Sequence, residues 1–238
     1  MPVMHSTPRR MFPHHTWTSA TDGESGAEVH RLTGPGPALY VKTGPGMSDE
    51  AARLRWLTTT GIPAPEVVDN GDDWLVTEAV EGIPAHDAPE ALADLARALH
   101  DLPVDTCPFD RGLTVTTAEA RRRVHGGLVD LDDLEERYAG WSGERLLAEL
   151  ERTRPPAEDL VVCHGDLCPD NVLVDPVTRK VTGVLDVGRL GRADRHTDLA
   201  LAVRELEGAR ARRFLERYGT GEVDGERMTY FVLLDEFF

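Results

Sequence analysis

The chain runs to 238 residues, 40% of them hydrophobic, which suffices for one large domain or for two lobes, and no apolar run approaches the roughly 20 residues of a membrane span. Acidic residues outnumber Lys and Arg by 42 to 26, a formal charge of −16 that repels nucleic acid and anionic membranes and attracts polycations, although general solubility accounts for it as well. Arg9 and Arg10 are followed by no apolar stretch, so a Sec-type signal is not expected and the cytoplasm is the expected compartment; Cys107, Cys163 and Cys168 form no C-x-x-C pair and read as reduced thiols.

In chain order, the first eighty residues read as a small β-rich unit. Runs of β-formers at 16–20, 28–32 and 38–43 are separated by Gly-rich turns. A helix is expected over 49–59, with Leu54 and Leu57 turned to the core and Ser48 as its N-cap. Ile62-Pro63-Ala64-Pro65 breaks that pattern, and extended structure resumes at 66–69 and 74–79. Beyond Gly82 the pattern turns helical: Leu92, Leu95, Ala96, Leu99 and Leu102 recur at helical spacing, and 128–138 and 144–152 are further helix candidates. Residues 160–186 read as strand, loop, strand, turn, strand, and 225–238 as a helix whose apolar content is Tyr230, Phe231, Leu233 and Leu234. No internal repeat or long linker is visible. The expected class is α+β, with 1–79 as a small β-rich nucleotide-binding lobe, 80–82 as a connector and 83–238 as a larger, mostly helical catalytic and substrate-binding lobe. This is the layout of a protein-kinase-like bilobal fold, with the catalytic cleft expected between the lobes.

The most informative stretch is Val161-Val162-Cys163-His164-Gly165-Asp166-Leu167-Cys168-Pro169-Asp170-Asn171-Val172-Leu173-Val174, followed fifteen residues beyond Asn171 by Asp186-Val187-Gly188. An apolar strand delivers an Asp into a loop, an Asn follows five positions later, and a second apolar strand follows that. The spacing is the kinase arrangement H-x-D-x-x-x-x-N then D-x-G, with Gly165 where protein kinases have Arg. Phosphoryl transfer needs a carboxylate to take the acceptor hydroxyl proton, here Asp166. It also needs hard oxygen ligands for Mg²⁺, here Asn171 and Asp186. Each residue alone would be an ordinary turn former; the spacing between apolar strands is what points to an enzyme. Both strands are expected to bring their polar ends to one edge of a short sheet. His164 reads as structural, orienting the loop. Cys163, His164 and Cys168 lie close together but match no common zinc spacing.

Leu39-Tyr40-Val41-Lys42 ends a strand on a lysine, as in the strand that holds the α- and β-phosphates of ATP, and Glu50 on the next helix is its natural ion-pair partner. The loop around Ser25 could cover the phosphates, but it lacks a full G-x-G-x-x-G and an ordinary hairpin turn explains it nearly as well. Thr77 and Ala79, on the segment running into Gly82, are placed by position as a connector whose backbone would pair with adenine.

At 164–171, at Asp186-Val187-Gly188-Arg189-Leu190-Gly191-Arg192-Ala193-Asp194-Arg195 and at Leu233-Leu234-Asp235-Glu236-Phe237-Phe238, the sequence closely resembles the aminoglycoside 3'-phosphotransferases, and the match extends over nearly the whole chain. The resemblance implies a kinase-like fold, ATP with Mg²⁺ and an aminoglycoside acceptor phosphorylated at its 3'-hydroxyl; from the charge, no nucleic acid or membrane partner is expected, and a monomer is expected. It implies that acceptor amines are met by Asp133, Glu135, Glu136, Glu205, Asp235, Glu236 and the carboxylate of Phe238, with Arg189 organising that acidic wall and Arg204 lining it. Charge-assisted hydrogen bonds from several carboxylates suit a substrate with several ammonium groups; without the resemblance, 132–136 would read as a solvated helix face. Asp198 is expected to fix the catalytic loop. The stretch 207–214 and the connection after Lys42 are shorter than the family pattern, which bears on the acceptor wall near Arg204 and Glu205. A kinase for another antibiotic, choline or homoserine would keep Asp166, Asn171 and Asp186 without needing Asp235 and Glu236. A non-catalytic nucleotide-binding module could lose the catalytic groups, and no G-x-S-x-G elbow or H-E-x-x-H helix marks a hydrolase.

Overall fold

A computed structural model describes residues 6–22, 28–219, 221 and 223–238. The chain divides into two compact units, Met1–Pro84 with Val172–Gly188, and Ala85–Asn171 with Arg189–Phe238. The first contains α1 (Ser6–Met11), β1 (Thr16–Asp22), β2 (Glu28–Thr33), β3 (Leu39–Thr43), α2 (Met47–Thr58), β4 (Val67–Asn70), β5 (Trp74–Glu78) and β6 (Ile83–Pro84). The second opens with α3 (Pro89–His100), α4 (Leu113–His125), α5 (Gly143–Arg152) and β7 (Leu160–Cys163). Strands β8 (Val172–Val174) and β9 (Val181–Val184) belong to the first unit, and β10 (Gly191–Asp194), α6 (His196–Leu206), α7 (Gly208–Tyr218) and α8 (Gly225–Asp235) complete the second.

The first unit is built on an antiparallel sheet in the order β1-β2-β3-β5-β4. Its middle strand alternates as a half-buried strand should: Leu39, Val41 and Thr43 are buried, while Tyr40 and Lys42 point to the more open face. Leu32, Leu39, Val41 and Val76 form the core beneath that sheet. Helix α2 turns Met47, Glu50, Ala51, Leu54 and Leu57 inward at helical spacing. Its N-cap is Gly46, at φ 81, rather than Ser48, because a glycine in the left-handed region starts the helix two residues early and leaves Ser48 exposed in its first turn. Residues 172–188 group with this unit because β6 pairs with β8, β8 pairs with β9, and the Val184 amide donates to the Pro63 carbonyl.

In the second unit, α4, α5, α6 and α8 share a core of Leu113, Val124, Leu146, Leu150, Ala200, Tyr230, Leu234 and neighbours. Helix α5 is capped by Ser142, whose hydroxyl accepts from the Arg145 amide, and α8 by Asp224. Two expectations fail here. The span 128–138 is not a helix: Leu128 and Leu131 are exposed, Asp130 turns the backbone by accepting from the Asp132 amide, and only Glu136–Tyr138 makes a 3₁₀ turn. Five carboxylates within seven residues would stack against one another on successive helical turns, and the Asp130 side chain offers the backbone a turn instead. The two strands flanking the Asp166 loop also lie in different sheets, since β7 pairs with β10 and β8 with β9. Helix α4 had no counterpart in the sequence reading, because its run of Thr, Glu and Arg has a weak apolar stripe.

Candidate active site

In the first unit, Lys42 projects from β3 to place its Nζ 3.0 Å from Glu50 Oε2 and 2.9 Å from Asp186 Oδ1. Burial opposes a charge on this amine, but the Glu50 and Asp186 carboxylates outweigh it and raise the lysine above its ordinary value, so Lys42 is a fixed cation. Glu50 is 5% exposed, whereas the Asp186 side chain is 40% exposed and its carboxylate is open to a ligand. Asp186 also adopts φ 50, a left-handed conformation that costs a non-glycine residue about 1–3 kcal/mol and turns the chain sharply after β9. Thr77 lies in β5 opposite Tyr40, and the Ala79 amide donates to the Ala38 carbonyl at 2.9 Å, so that donor is committed to the sheet rather than left for a purine. Ser25 lies outside the described residues.

In the second unit, the loop after β7 is held by buried groups. Asp198, at 0% exposure on α6, accepts from the His164 amide and the Gly165 amide, each at 2.8 Å. This is the loop-fixing role expected of it. Burial disfavours the Asp198 charge, but hydrogen bonding from His100 and the neighbouring imidazoles hold its carboxyl below the usual range. His164 is fully buried and its Nδ1 accepts from the Asp166 amide at 3.2 Å, which orients the loop. Gly165 sits at φ +86, and a Cβ there would lie 2.4 Å from the Arg189 carbonyl oxygen, so only glycine fits where protein kinases carry Arg. Asn171 donates from Nδ2 to the Asp166 carbonyl at 3.0 Å and to Asp166 Oδ2 at 3.1 Å. That bond orients one carboxylate oxygen and turns the Asn171 amide oxygen away from Asp166. Burial, with the Asp166 carboxylate beside it, pushes the Cys168 thiol up to about 12, so it stays protonated in the loop.

Among the described residues, His100, Cys163 and Asp198 cluster closely enough to consider a metal. Their partners argue otherwise. His100 Nε2 and Asp198 Oδ2 face each other at 3.1 Å, and the Cys163 thiol donates to the Asp194 carbonyl with its pKa driven up by burial.

The acidic residues are brought together in part. Arg189 and Arg204 grip the two oxygens of Asp235 at 2.7 and 2.9 Å, and Arg204 Nε donates to Glu205 at 2.8 Å. Glu236 accepts from the Glu135 amide at 3.1 Å, and Glu135 pairs with Arg137. Asp133 and Glu136 are exposed. The Phe238 ring lies 5.3, 5.4 and 6.0 Å from the guanidinium carbons of Arg111, Arg189 and Arg123. Arg111 and Arg123 had no signal in the sequence, since one stands just before α4 and the other ends a run of three arginines within it, and neither pattern marks an aromatic partner 115 or more residues away. A hollow in this unit is lined by Gly165, Arg189, Thr197, Leu234, Asp235 and Phe238 among others, so Gly165 of the loop carrying Asp166 and the acidic Asp235 line the same hollow. Between α6 and α7 stands Glu207 alone, at φ 49, in the compact stretch noted in the sequence.

Among the described residues no helix is long and apolar enough to cross a membrane. The profile of the phosphotransferase enzyme family matches residues 16–231. An aminoglycoside 3'-phosphotransferase of Streptomyces fradiae is 57% identical, the match covering 98% of this chain and 99% of that protein. The alignment runs over 265 positions, more than this chain's 238 residues, so the relative has internal segments that this chain lacks. The crystal structure of an aminoglycoside-3'-phosphotransferase of type VIII superposes with a TM-score of 0.93 at 52% identity, covering 98% of this chain and 97% of that one. An aminoglycoside phosphotransferase from Streptomyces rimosus, in complex with ADP and streptomycin, gives 0.83 at 33% identity, covering 100% and 99%.

Proposed function

The chain belongs to the phosphotransferase enzyme family, and on that basis we propose that it is an aminoglycoside 3'-phosphotransferase that moves the γ-phosphoryl group of ATP onto the drug's 3'-hydroxyl. The observation that carries this reading is the held loop: Asp166, oriented by Asn171, stands in a turn whose amides are gripped by the buried carboxylate of Asp198. Phosphorylation adds negative charge to a polycation, which inactivates the antibiotic and protects the cell that makes the enzyme.

Asp166 takes the acceptor proton as the hydroxyl oxygen bonds to the γ-phosphorus, and the bond from that phosphorus to the bridging oxygen of ADP breaks. Lys42, kept charged by Glu50 and Asp186, supplies the cation for the nucleotide phosphates. Magnesium suits each donor proposed for it: the Asn171 amide oxygen and the exposed Asp186 carboxylate are each hard oxygen ligands, and the Asn171 nitrogen is already committed to Asp166. Bound there, magnesium would supply charge neutralisation on the phosphate oxygens. In the acceptor wall, Asp235, Glu236, Glu205 and Glu135 meet ammonium groups, with Asp133, Glu136 and the Phe238 carboxylate beside them and Arg189 and Arg204 holding Asp235 in place. The nucleotide contacts are assigned to the first unit, with Thr77 and Ala79 at the base and Lys42 at the phosphates. The Ala79 amide is already bonded to Ala38, so it is not the donor offered to adenine.

The test is product identity. With ATP and Mg²⁺, kanamycin and neomycin should yield a phosphate ester whose ³¹P signal couples to H3', while choline and a macrolide remain unmodified. Phosphate on choline, or on neither drug, would replace this reading with that of a metabolite kinase.

A pH dependence follows from Glu236. Burial, with Glu135 and Asp235 nearby and against the pull of Arg204, pushes it up to about 7; the Glu135 amide favours the charged form, and Tyr138 lies close. The raised value means the protonated form is favoured in the folded chain. Its contribution to stability is therefore present below pH 4.5 and is lost as pH rises through 7. Acceptor binding has the opposite sign, because ammonium groups need the carboxylate. The KM for the aminoglycoside should fall as pH rises from about 6 to 8, and the trend should flatten in Glu236→Gln.

A further inference from the structure

The loop carrying Asp166 is held from behind by a line of buried polar side chains that ends on α7, 118 residues from the histidine it meets. His100 closes α3 at 7% exposure, with Nε2 facing Asp198 Oδ2 at 3.1 Å and Nδ1 facing the Tyr218 hydroxyl at 2.7 Å. An ionised carboxylate only accepts, so Nε2 carries the proton. In the neutral ring Nδ1 is then an acceptor, which the Tyr218 O–H satisfies. The Tyr218 oxygen accepts in turn from Arg195 at 3.1 Å, and Arg195 is paired with Asp159. Every donor in the line points toward Asp198, and Asp198 passes that order to the His164 and Gly165 amides.

The position of α7 is set independently. Arg213 makes two bonds to Glu90 at 2.6 and 2.9 Å, and one turn on Arg217 makes two to Asp94 at 2.7 and 2.8 Å. Exposed pairs of this kind add little stability, but paired forks on matching turns fix the register of α7 on α3 and so the height of Tyr218.

We propose that Tyr218 is a positioning residue for phosphoryl transfer: its hydroxyl fills the Nδ1 acceptor and fixes the His100 ring, His100 orients Asp198, and Asp198 holds the loop that presents Asp166. The ring of Tyr218 also packs on His100 and Phe214. Phenylalanine would keep those contacts, so Tyr218→Phe isolates the hydroxyl.

The kinetic arm of the test rests on the phosphotransferase reading. Tyr218→Phe should lower kcat about tenfold with KM for both substrates and the melting temperature little changed, because a misplaced loop costs rate rather than binding. His100→Gln should do the same, and the double variant should be no worse than His100→Gln alone, since one residue acts through the other. Two further arms need no substrate. Amide exchange at His164 and Gly165 should quicken in Tyr218→Phe, and ¹⁵N spectra of the unaltered protein should show the His100 ring proton on Nε2 rather than Nδ1. Unchanged kcat and exchange, additive losses in the double variant, or a proton on Nδ1 would each overturn the proposal. If Tyr218→Phe does not fold, the ¹⁵N spectrum of the unaltered chain decides. A chain that phosphorylated no aminoglycoside would end the functional reading and leave the exchange and ¹⁵N results standing.

Discussion

Asp166→Asn should lower kcat by about 10²- to 10⁴-fold, the range expected when a positioned general base is lost, with nucleotide affinity nearly unchanged. The substitution is close to isosteric, and the amide oxygen can still accept from Asn171 Nδ2 as the Asp166 carboxylate does at 3.1 Å. The clamp from Asp198 reaches the amides of His164 and Gly165 rather than the side chain at 166, so the loop keeps its shape. What disappears is the group that takes the acceptor proton. Single-turnover transfer measured beside ATP binding checks this, and normal turnover in the variant would remove Asp166 from the mechanism.

Lys42→Met should damage both fold and activity. Methionine fills much of the same space but leaves Glu50, 5% exposed, as a buried carboxylate without its 3.0 Å cation and with Asp186 as its neighbour. Breaking a buried pair from one side costs roughly 3–5 kcal/mol, and the partial exposure of Lys42 puts the expected loss near the bottom of that range. Lys42→Met combined with Glu50→Gln removes the stranded charge and should recover most of the stability. It should not recover phosphate transfer, because the cation for the nucleotide is still missing. Denaturant melts and kcat/KM for ATP on the two variants separate these effects. Equal destabilisation in both would mean that Glu50 is stabilised by groups other than Lys42.

Several elements were legible because the forces that set them are local. The alternation in 38–43 marks a half-buried strand, and Leu54 and Leu57 mark the inner face of the helix that follows. Asp166 and Asn171 are five residues apart, so one turn of chain brings them into contact, and the eight residues from Lys42 to Glu50 span one strand end and one helix start. The N-cap at Gly46 was missed because the choice between a serine side chain and a left-handed glycine depends on how the chain leaves β3. The segment 128–138 was misjudged because spacing alone does not weigh a cluster of carboxylates against helix formation.

The amino-acid sequence by itself pointed to the groups proposed to carry the chemistry: a base, two oxygen ligands, a lysine with its acidic partner, and carboxylates for a cationic acceptor. Tertiary structure alone decided how those groups are held. His100 and Asp198 are 98 residues apart and His100 and Tyr218 are 118, Asp186 comes to Lys42 from 144 residues away, and Arg189 and Arg204 converge on Asp235 from separate elements. Contacts at such separations leave no periodic trace in the chain. They arise only when apolar faces pack and bring polar groups into a low-dielectric interior, where each must find a partner or incur the full cost of its lost hydration.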